Sequence, residues 1–200
     1  MSTTSLLPTF GYFLITISSV TEGRYIVSNN ERAFIISQLQ DLLGVRSLLE
    51  DPYSNRRLSA HIDLLAYSIS PNSIQLLLFA ISRKSAKSLA SLIGNRLKQY
   101  KSEYGPARYI HEHASSIKRL IGSHQALGIS IKLHCQHTDW EYDRYSSIGF
   151  YLHDRRGDWM RTWRLSRLYE NDAEIYRLLI ESELQKQIIT DSTKAQMIGS

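Results

Sequence analysis

The spacing of apolar residues near the start of the chain predicts a strand followed by a helix. Gly11 to Val20 is rich in β-branched and aromatic residues, which is typical of a strand. Apolar residues then recur close to helical spacing, at Phe34, Ile35, Leu39, Leu42 and Leu43. Gly44 follows the last of them and is expected to kink or end this helix.

The middle of the chain carries the sharpest local pattern, which predicts a β-hairpin. Two β-rich runs, Ala60 to Ile69 and Ser73 to Ile81, flank the turn-forming residues at positions 70–72. Ser85 to Tyr104 is predicted to be a helix, with an apolar stripe on one side and basic residues on the other. Gly105 and Pro106 are expected to end it.

The second half of the chain is less regular. Short strands are predicted at Ala107 to Ala114 and at Ile129 to His134, with a helix from Ser115 to Leu127 between them. Two C-terminal helices are predicted, at about Trp159 to Tyr169 and Asp172 to Ile189, and the last ten residues are expected to fray.

This order of elements predicts an α+β fold of the ferredoxin-like kind. A strand, a helix, a hairpin, a second helix and a final strand form an antiparallel sheet with helices packed on one face. Residues 1–158 are then the α+β domain, and residues 159–200 are a C-terminal helical extension of the same domain.

Composition favours a basic protein with a packed core. The chain has 200 residues, of which 42% are hydrophobic, and 24 Lys and Arg exceed 19 Asp and Glu. This basic excess suits a polyanionic partner. The single cysteine, Cys135, excludes an internal disulfide and a multi-cysteine zinc site, and it favours a cytoplasmic location. The N-terminal residues have neither a basic leader nor an apolar run long enough to span a bilayer, so no membrane partner is expected.

Several segments resemble a known family in the same order along the chain. The hairpin, LLAYSISPNSIQLLL, resembles the hairpin of the REP-associated tyrosine transposases, which are relatives of the single-strand insertion-sequence transposases. The first strand and helix, the helix end ASLIGNRLKQYKSEYG and the late segment DRYSSIGFYLHDRRGDW also resemble that family. The resemblance covers about residues 10–182 and implies a protein that recognises DNA hairpins and single strands.

The same resemblance indicates that the catalytic residues of the family are missing. In the family, a His-hydrophobic-His pair on the second hairpin strand holds a divalent metal, and a tyrosine from a later helix attacks the phosphate. The pair is replaced by Ser73-Ile74-Gln75, whose neutral side chains are weak metal ligands. Leu120 occupies the place of the tyrosine at the opening of the helix. We therefore predict a catalytically inactive homologue with no cofactor.

Two other groups of residues are candidate replacement sites. His111 and His113 flank Glu112 beside Tyr109, and a strand would place both imidazoles on one face. A solvated polar stretch is the simpler interpretation of the pair, because two histidines alone rarely make a metal site. Tyr100 and Tyr104 are possible nucleophiles, although packing or phosphate contact is the simpler role for them. Mg²⁺ or Mn²⁺ is expected only if such a relocated site exists.

The basic residues fall into two groups that are predicted to contact nucleic acid. A solvated helix face is the alternative interpretation of the first group. Phosphate contact, with base stacking on nearby tryptophans, is the functional interpretation. The predicted binding residues of the first basic group are Arg83, Lys84, Lys87, Arg96, Lys98, Lys101, Arg108, Lys118 and Arg119. Those of the second basic group are Arg155, Arg156, Arg161 and Arg164.

Three functional hypotheses follow from these observations. The first is an inactive transposase-like protein that binds a DNA hairpin or single strand, with RNA also possible. The second is an active metal-dependent nicking enzyme with a relocated His/Tyr site. The third is an accessory subunit that binds a protein or a second copy of itself through the last helix, where Ile175, Leu178, Leu179 and Leu184 are available.

Overall fold

The first part of the chain forms a βαββαβ unit with one extra helical turn before its second strand. The computed structural model describes residues 10–20, 25–26, 28–44, 56–104, 112–137 and 139–198. The strands are β1 (Gly11–Ser19), β2 (Ile62–Ile69), β3 (Ser73–Ala80) and β4 (His113–Leu120). The helices among them are α1 (Asn29–Leu43), a single turn α2 (Arg56–Ser59) and α3 (Arg83–Tyr104).

The four strands form one antiparallel sheet in the order β2-β3-β1-β4. β1 lies in the centre and pairs with β3 from Gly11↔Ala80 to Ser18↔Ser73, and with β4 from Tyr12↔Leu120 to Ser19↔His113. This order and direction are those of the ferredoxin-like fold. The predicted α+β class and the hairpin are confirmed.

One face of the sheet packs against α1 and α3 and forms an aliphatic first core. Ser28 caps α1 by accepting a hydrogen bond from the Glu31 amide at 3.2 Å, and Gly44 ends the helix as expected. Alternation along β1 and β3 turns every second residue toward these helices. The first core contains Phe13, Ile15, Ile17, Leu39, Leu42, Ile74, Leu76, Leu78, Leu89, Ile93 and Leu97.

The opposite face of the sheet is covered by later elements and forms a second, more aromatic core. They are α4 (Gly122–His134), α5 (Gly149–Leu152), α6 (Trp163–Ser166) and α7 (Ala173–Ile198), with 3-10 turns at Trp140–Tyr142 and Arg167–Tyr169. Helices therefore pack on both faces, because the C-terminal helices fold back over the sheet. The second core contains Tyr12, Leu65, Ala66, Leu77, Leu120, Ala126, Leu133, Tyr151, Leu165, Tyr169, Tyr176 and Ile180.

Two predictions for the region after α3 are wrong. The predicted helix from Ser115 to Leu127 is strand β4 as far as Leu120, because this segment pairs with β1 throughout its length. The predicted strand at Ile129 to His134 is the second half of α4. Ala126, Ser130 and Leu133 lie at helical spacing and are buried together, which outweighs the alternation of ISIKLH.

The C-terminal region also differs from the prediction. Met160 forms a parallel bridge to Leu64, and the Arg161 amide donates to the Leu64 carbonyl at 2.8 Å. Because residues 160 and 161 make this strand-like contact with β2, the first C-terminal helix begins only at Trp163 and ends at Ser166. The second one starts as predicted but continues to Ile198, where fraying had been expected.

None of the helices in the described ranges is both long and apolar enough to cross a bilayer.

Candidate nucleic-acid interface

Ser73 and Gln75 share one face of β3, as the alternation predicts, and both are held by neutral hydrogen bonds. The Ser73 and Ser70 hydroxyl oxygens lie 3.2 Å apart in the hairpin turn. Gln75 Oε1 accepts from Gln136 Nε2 at 2.7 Å, just beyond the end of α4. In turn, Gln136 Oε1 accepts from the Ser68 hydroxyl at 3.1 Å. These side chains therefore tie the hairpin to α4.

Leu120 lies far from this pair and does not open a helix. It is the last residue of β4, it pairs with Tyr12, and it is buried in the second core. Thr16 pairs with Gln75 on one side and with Ser116 on the other, so these three residues lie in line across the sheet. Leu120 lies four residues beyond Ser116 along β4. At about 3.3 Å per residue this is a separation of about 13 Å along the strand. The expected position of Leu120 at the start of a helix is wrong, since α4 begins at Gly122.

The candidate replacement pair, His111 and His113, is only partly described. His111 and Tyr109 lie outside the described residues. The His113 ring lies against the α3 backbone at Gly94, where an added Cβ atom would come within 2.3 Å of Nε2. Gly94 therefore permits the close approach of β4 to α3, and His113 has a packing role there.

The histidines near Cys135 belong to hydrogen-bond networks. His134 is buried, with Nδ1 2.8 Å from Tyr176 Oη and Nε2 2.7 Å from the Ser147 hydroxyl. Burial lowers the pKa of His134 to about 3. His137 Nε2 lies 3.5 Å from Asp143 Oδ2. Within the part of the chain that the structure describes, no three His, Cys, Asp or Glu side chains are grouped so that they could hold a metal ion.

The two candidate tyrosines of α3 belong to an aromatic ladder beside α1. Tyr100 stacks on Phe34 with ring centroids 4.2 Å apart, and Tyr104 lies 5.1 Å from Tyr100. Arg96 closes one side of the ladder by donating to Gln38 Oε1 at 2.6 Å. This arrangement is a packing contact between two helices.

Most of the first basic group is exposed around the start of α3 and the edge strand β4. Arg83 donates to the Ile117 carbonyl at 3.3 Å, so the first turn of α3 adjoins β4. From Arg83 to Ser102, helix α3 has no acidic residue. The exposed basic side chains of this group are Arg83, Lys84, Lys87, Lys98, Lys118 and Arg119.

The remaining members of that group are less accessible or lie outside the described residues. Lys101 is only 3% exposed, and its ammonium lies 3.8 Å from Glu31 Oε2 and donates to the Tyr25 carbonyl. Burial lowers the pKa of Lys101, and Glu31 opposes that shift. The expectation that Lys101 lies on the solvent face is wrong, because α1 supplies a buried carboxylate partner. Arg108 falls outside the described residues.

The second basic group also contains both exposed and less accessible side chains. Arg155 and Arg156 are exposed, with Arg155 over the Phe150 ring and Arg156 3.1 Å from Asp154. Arg161 is half-buried and donates to the Asp158 carbonyl. Arg164 is also half-buried, since its Nε donates to Asp63 Oδ2 at 2.6 Å.

An aromatic band links Arg119 of the first basic group to Arg164 of the second group across one end of the sheet. Arg119 donates to the Phe10 carbonyl at 3.5 Å, and the Phe10 ring lies 6.0 Å from the Phe79 ring. The Arg164 guanidinium lies 4.0 Å from the Phe79 centroid and 4.6 Å from the Trp163 ring. We refer to Phe10, Phe79, Arg164 and Trp163 as the aromatic band. Phe10 and Trp163 are each 50% exposed.

Phe10 and Phe79 were not predicted as site residues. Phe79 belongs to an ordinary strand pattern and Phe10 precedes the first strand, so neither carries a signal of its own. The alternation of β3 does turn Phe79 to the same face as Ser73 and Gln75, and this was the available clue.

Only part of the apolar surface predicted on the last helix is exposed. Ile175 and Leu178 are exposed, whereas Leu179 and Leu184 pack against the second core. Half of the predicted partner surface is therefore used by the fold itself.

Comparison of the chain with models of known protein families, with curated proteins and with solved structures gives no match.

Proposed function

We propose that this protein binds nucleic acid, as a transposase-like protein that no longer cuts DNA. The preferred ligand is a DNA hairpin or single strand. The observation that carries the proposal is the aromatic band, which extends from the exposed Arg119 of the first basic group to the exposed Trp163 and Arg167. Basic side chains interleaved with exposed aromatic rings suit phosphate contact combined with base stacking.

The electrostatics of α3 support the same proposal. Arg83, Lys84 and Lys87 lie in the first turns of the helix, where the positive end of the macrodipole disfavours cations. Ser82 caps this end by accepting from the Ser85 amide at 3.1 Å. Three cations at a helix N-terminus cost stability, and a phosphate backbone placed there would offset that cost.

The chemistry of the hairpin supports an inactive protein. Ser73 and Gln75 are neutral side chains already hydrogen-bonded to Ser70 and Gln136. Neither resembles a two-imidazole metal clamp. Leu120 is apolar, buried and at the other end of β4, and its side chain has no nucleophilic atom.

A binding titration on three labelled oligonucleotides tests the proposal: a hairpin, a blunt duplex and an unstructured strand, each as DNA and as RNA. The expected result is hairpin or single-strand preference, with an affinity that falls steeply as salt rises. Parallel incubations with Mg²⁺ or Mn²⁺ should give neither nicking nor a covalent adduct.

A matched pair of double variants locates the binding surface. Lys84→Gln with Lys87→Gln should reduce the slope of log affinity against log salt by about 1.5, because each phosphate contact contributes about 0.7–0.9. Lys132→Gln with Lys186→Gln removes the same charge from exposed positions on α4 and α7 and should leave the slope unchanged. Equal effects of the two pairs of substitutions would refute the proposed surface. Metal-dependent nicking would refute the proposal that the protein no longer cuts DNA.

A further inference from the structure

Trp163 is held in a fixed position by a guanidinium that is itself locked in place. Arg164 lies between the Phe79 and Trp163 rings, 4.0 Å and 4.6 Å from their centroids. Asp63, near the start of β2, fixes the guanidinium through a 2.6 Å hydrogen bond from Arg164 Nε. Phe79 is in turn fixed by the Tyr12 ring, whose centroid is 5.1 Å away. Arg164 is therefore a positioning residue, and its guanidinium is already occupied.

The exposure of Trp163 sets it apart from the nearby Trp159. Trp159 is 4% exposed and stacks with Tyr67 in the first core, whereas Trp163 keeps half of its surface in solvent. Arg167, which is exposed, lies 5.8 Å from the Trp163 centroid. A large aromatic ring with restrained motion, exposed surface and adjacent cations is a suitable platform for a flat ligand that carries negative charge nearby.

We infer that Trp163 stacks an unpaired nucleobase, while the exposed Arg167 beside it contacts a flanking phosphate. This inference rests on the proposed function and specifies which part of the nucleic acid the aromatic band binds. Bases inside a duplex are already stacked on both faces, so the platform selects a single-stranded base. A partner peptide with an aromatic side chain would fit the ring, but it would leave the surrounding positive charge without a ligand.

The test compares two hairpins whose single-stranded tails have the same number of phosphates. One tail has normal bases and the other consists of abasic sites. The wild-type protein should bind the tail with bases about tenfold more tightly, in the range expected for one stacked base. Trp163→Ala should bind both tails equally, and Trp163→Phe should keep most of the preference.

A further variant tests the positioning role of Asp63. Asp63→Asn should reduce the ratio of the two affinities while leaving the affinity for the abasic tail unchanged. General destabilisation would lower both affinities together, so the ratio separates the two effects. Circular dichroism at the assay temperature confirms that each variant is folded.

The possible outcomes separate this inference from the proposed function. If the wild-type protein binds both tails equally, or if Trp163→Ala keeps the preference, the stacking role is refuted while nucleic-acid binding stands. If the wild-type protein binds no oligonucleotide at low salt, both are refuted. Binding of an aromatic peptide that competes with the tail only in proteins with Trp163 would also overturn the nucleobase assignment.

Discussion

The two edges of the sheet differ in how their backbone groups are satisfied. At the β2 edge, the Ile69 amide donates to the Tyr145 carbonyl at 3.0 Å, and the Ser147 amide donates to the Tyr67 carbonyl at 3.0 Å. The Arg161 amide closes the same edge further along, at the Leu64 carbonyl. Segments from the C-terminal part of the chain thus act as additional short strands and seal this edge.

The β4 edge has a different surface. The Val20 amide donates to the Glu112 carbonyl at 2.9 Å. In an antiparallel ladder, every second residue exchanges backbone hydrogen bonds with the neighbouring strand. The backbone groups of Ser116 therefore face β1, whereas those of Ser115 and Ile117 point outward. The Ile117 carbonyl accepts from Arg83. The β4 sequence is polar and basic, with Lys118 and Arg119 exposed.

The contrast separates an edge that stabilises the fold from an edge whose polar side chains are mostly exposed. The sealed edge depends on buried hydrogen bonds between distant parts of the chain, so substitutions there should cost folding free energy. The open edge has exposed side chains and few partners among the described residues, so substitutions there should change binding more than stability. Charged side chains on β4 also discourage edge-to-edge aggregation.

Proline substitution tests the geometry of the open edge and has the largest expected effect. Ser116→Pro removes an amide that pairs with Thr16 and should lower the free energy of unfolding by about 3 kcal/mol or more. Ser115→Pro removes an outward amide and should cost clearly less. Urea denaturation of both variants measures the difference. Equal costs would show that the alternation assigned to β4 is wrong.

Serine-to-alanine substitution at the two edges compares them directly. The buried Ser147 hydroxyl accepts from the Tyr67 amide at 2.8 Å and lies 2.7 Å from His134 Nε2. Ser147→Ala leaves these groups without a partner and should cost about 2–3 kcal/mol. The exposed Ser115→Ala should stay within about 0.5 kcal/mol of wild type. Similar midpoints for both variants in thermal denaturation would argue against the sealed-edge interpretation.

Acid should weaken the sealed side of the molecule through His134. Its pKa is about 3 in the folded protein, against an ordinary value of 6.5. Between these values the unfolded chain binds a proton that the folded protein does not, so stability is complete above the ordinary pKa and falls as pH falls. The expected loss is about 1.4 kcal/mol per pH unit. His134→Gln should remove this part of the slope in denaturation curves measured from about pH 7 to about pH 5, and identical slopes would contradict the assignment.

Charge reversal at the start of α3 should have the smallest effect on stability, with opposite effects on folding and binding. Lys84→Glu places an acid in the first helical turn and should stabilise the protein by about 0.3–1 kcal/mol at low ionic strength. The same change should weaken hairpin binding. Lys98→Glu, further along α3, should weaken binding without the gain in stability. A loss of stability in Lys84→Glu would remove the argument that this turn is kept basic at a cost.

The first elements were predicted closely because their signals are local. β1 and the hairpin were predicted to within two residues, because each strand is a run of β-forming residues and the turn residues between the hairpin strands mark where they end. β4 was missed because most of this edge strand is exposed. Between its ends, HASSIKRL has Ala114 and Ile117 as its only apolar residues, and of these two only Ile117 is partly buried. The helix Gly122–His134 was predicted at the wrong position because two of its buried residues, Ser130 and His134, are polar and hide the helical spacing of its buried face.

The candidate site shows a similar division. The basic groups were found in the sequence because charge clusters are local. Their accessibility was not, since Lys101 is buried by Glu31 of α1 and Arg164 is held by Asp63 of β2. Phe10 and Phe79 join the two groups only after the sheet has brought together the start of β1 and the end of β3.

The sequence by itself determined the order of the first strand, helix and hairpin, the basic character and the neutral side chains Ser73 and Gln75 on the second hairpin strand. These properties depend on residue identity and short-range periodicity, which are fully present in the chain. The tertiary structure alone decided which edge is sealed, which cations are exposed and where Trp163 meets Arg164 and Phe79. These properties depend on contacts between residues distant in sequence, such as Asp63 and Arg164, whose pairing arises only when the chain packs.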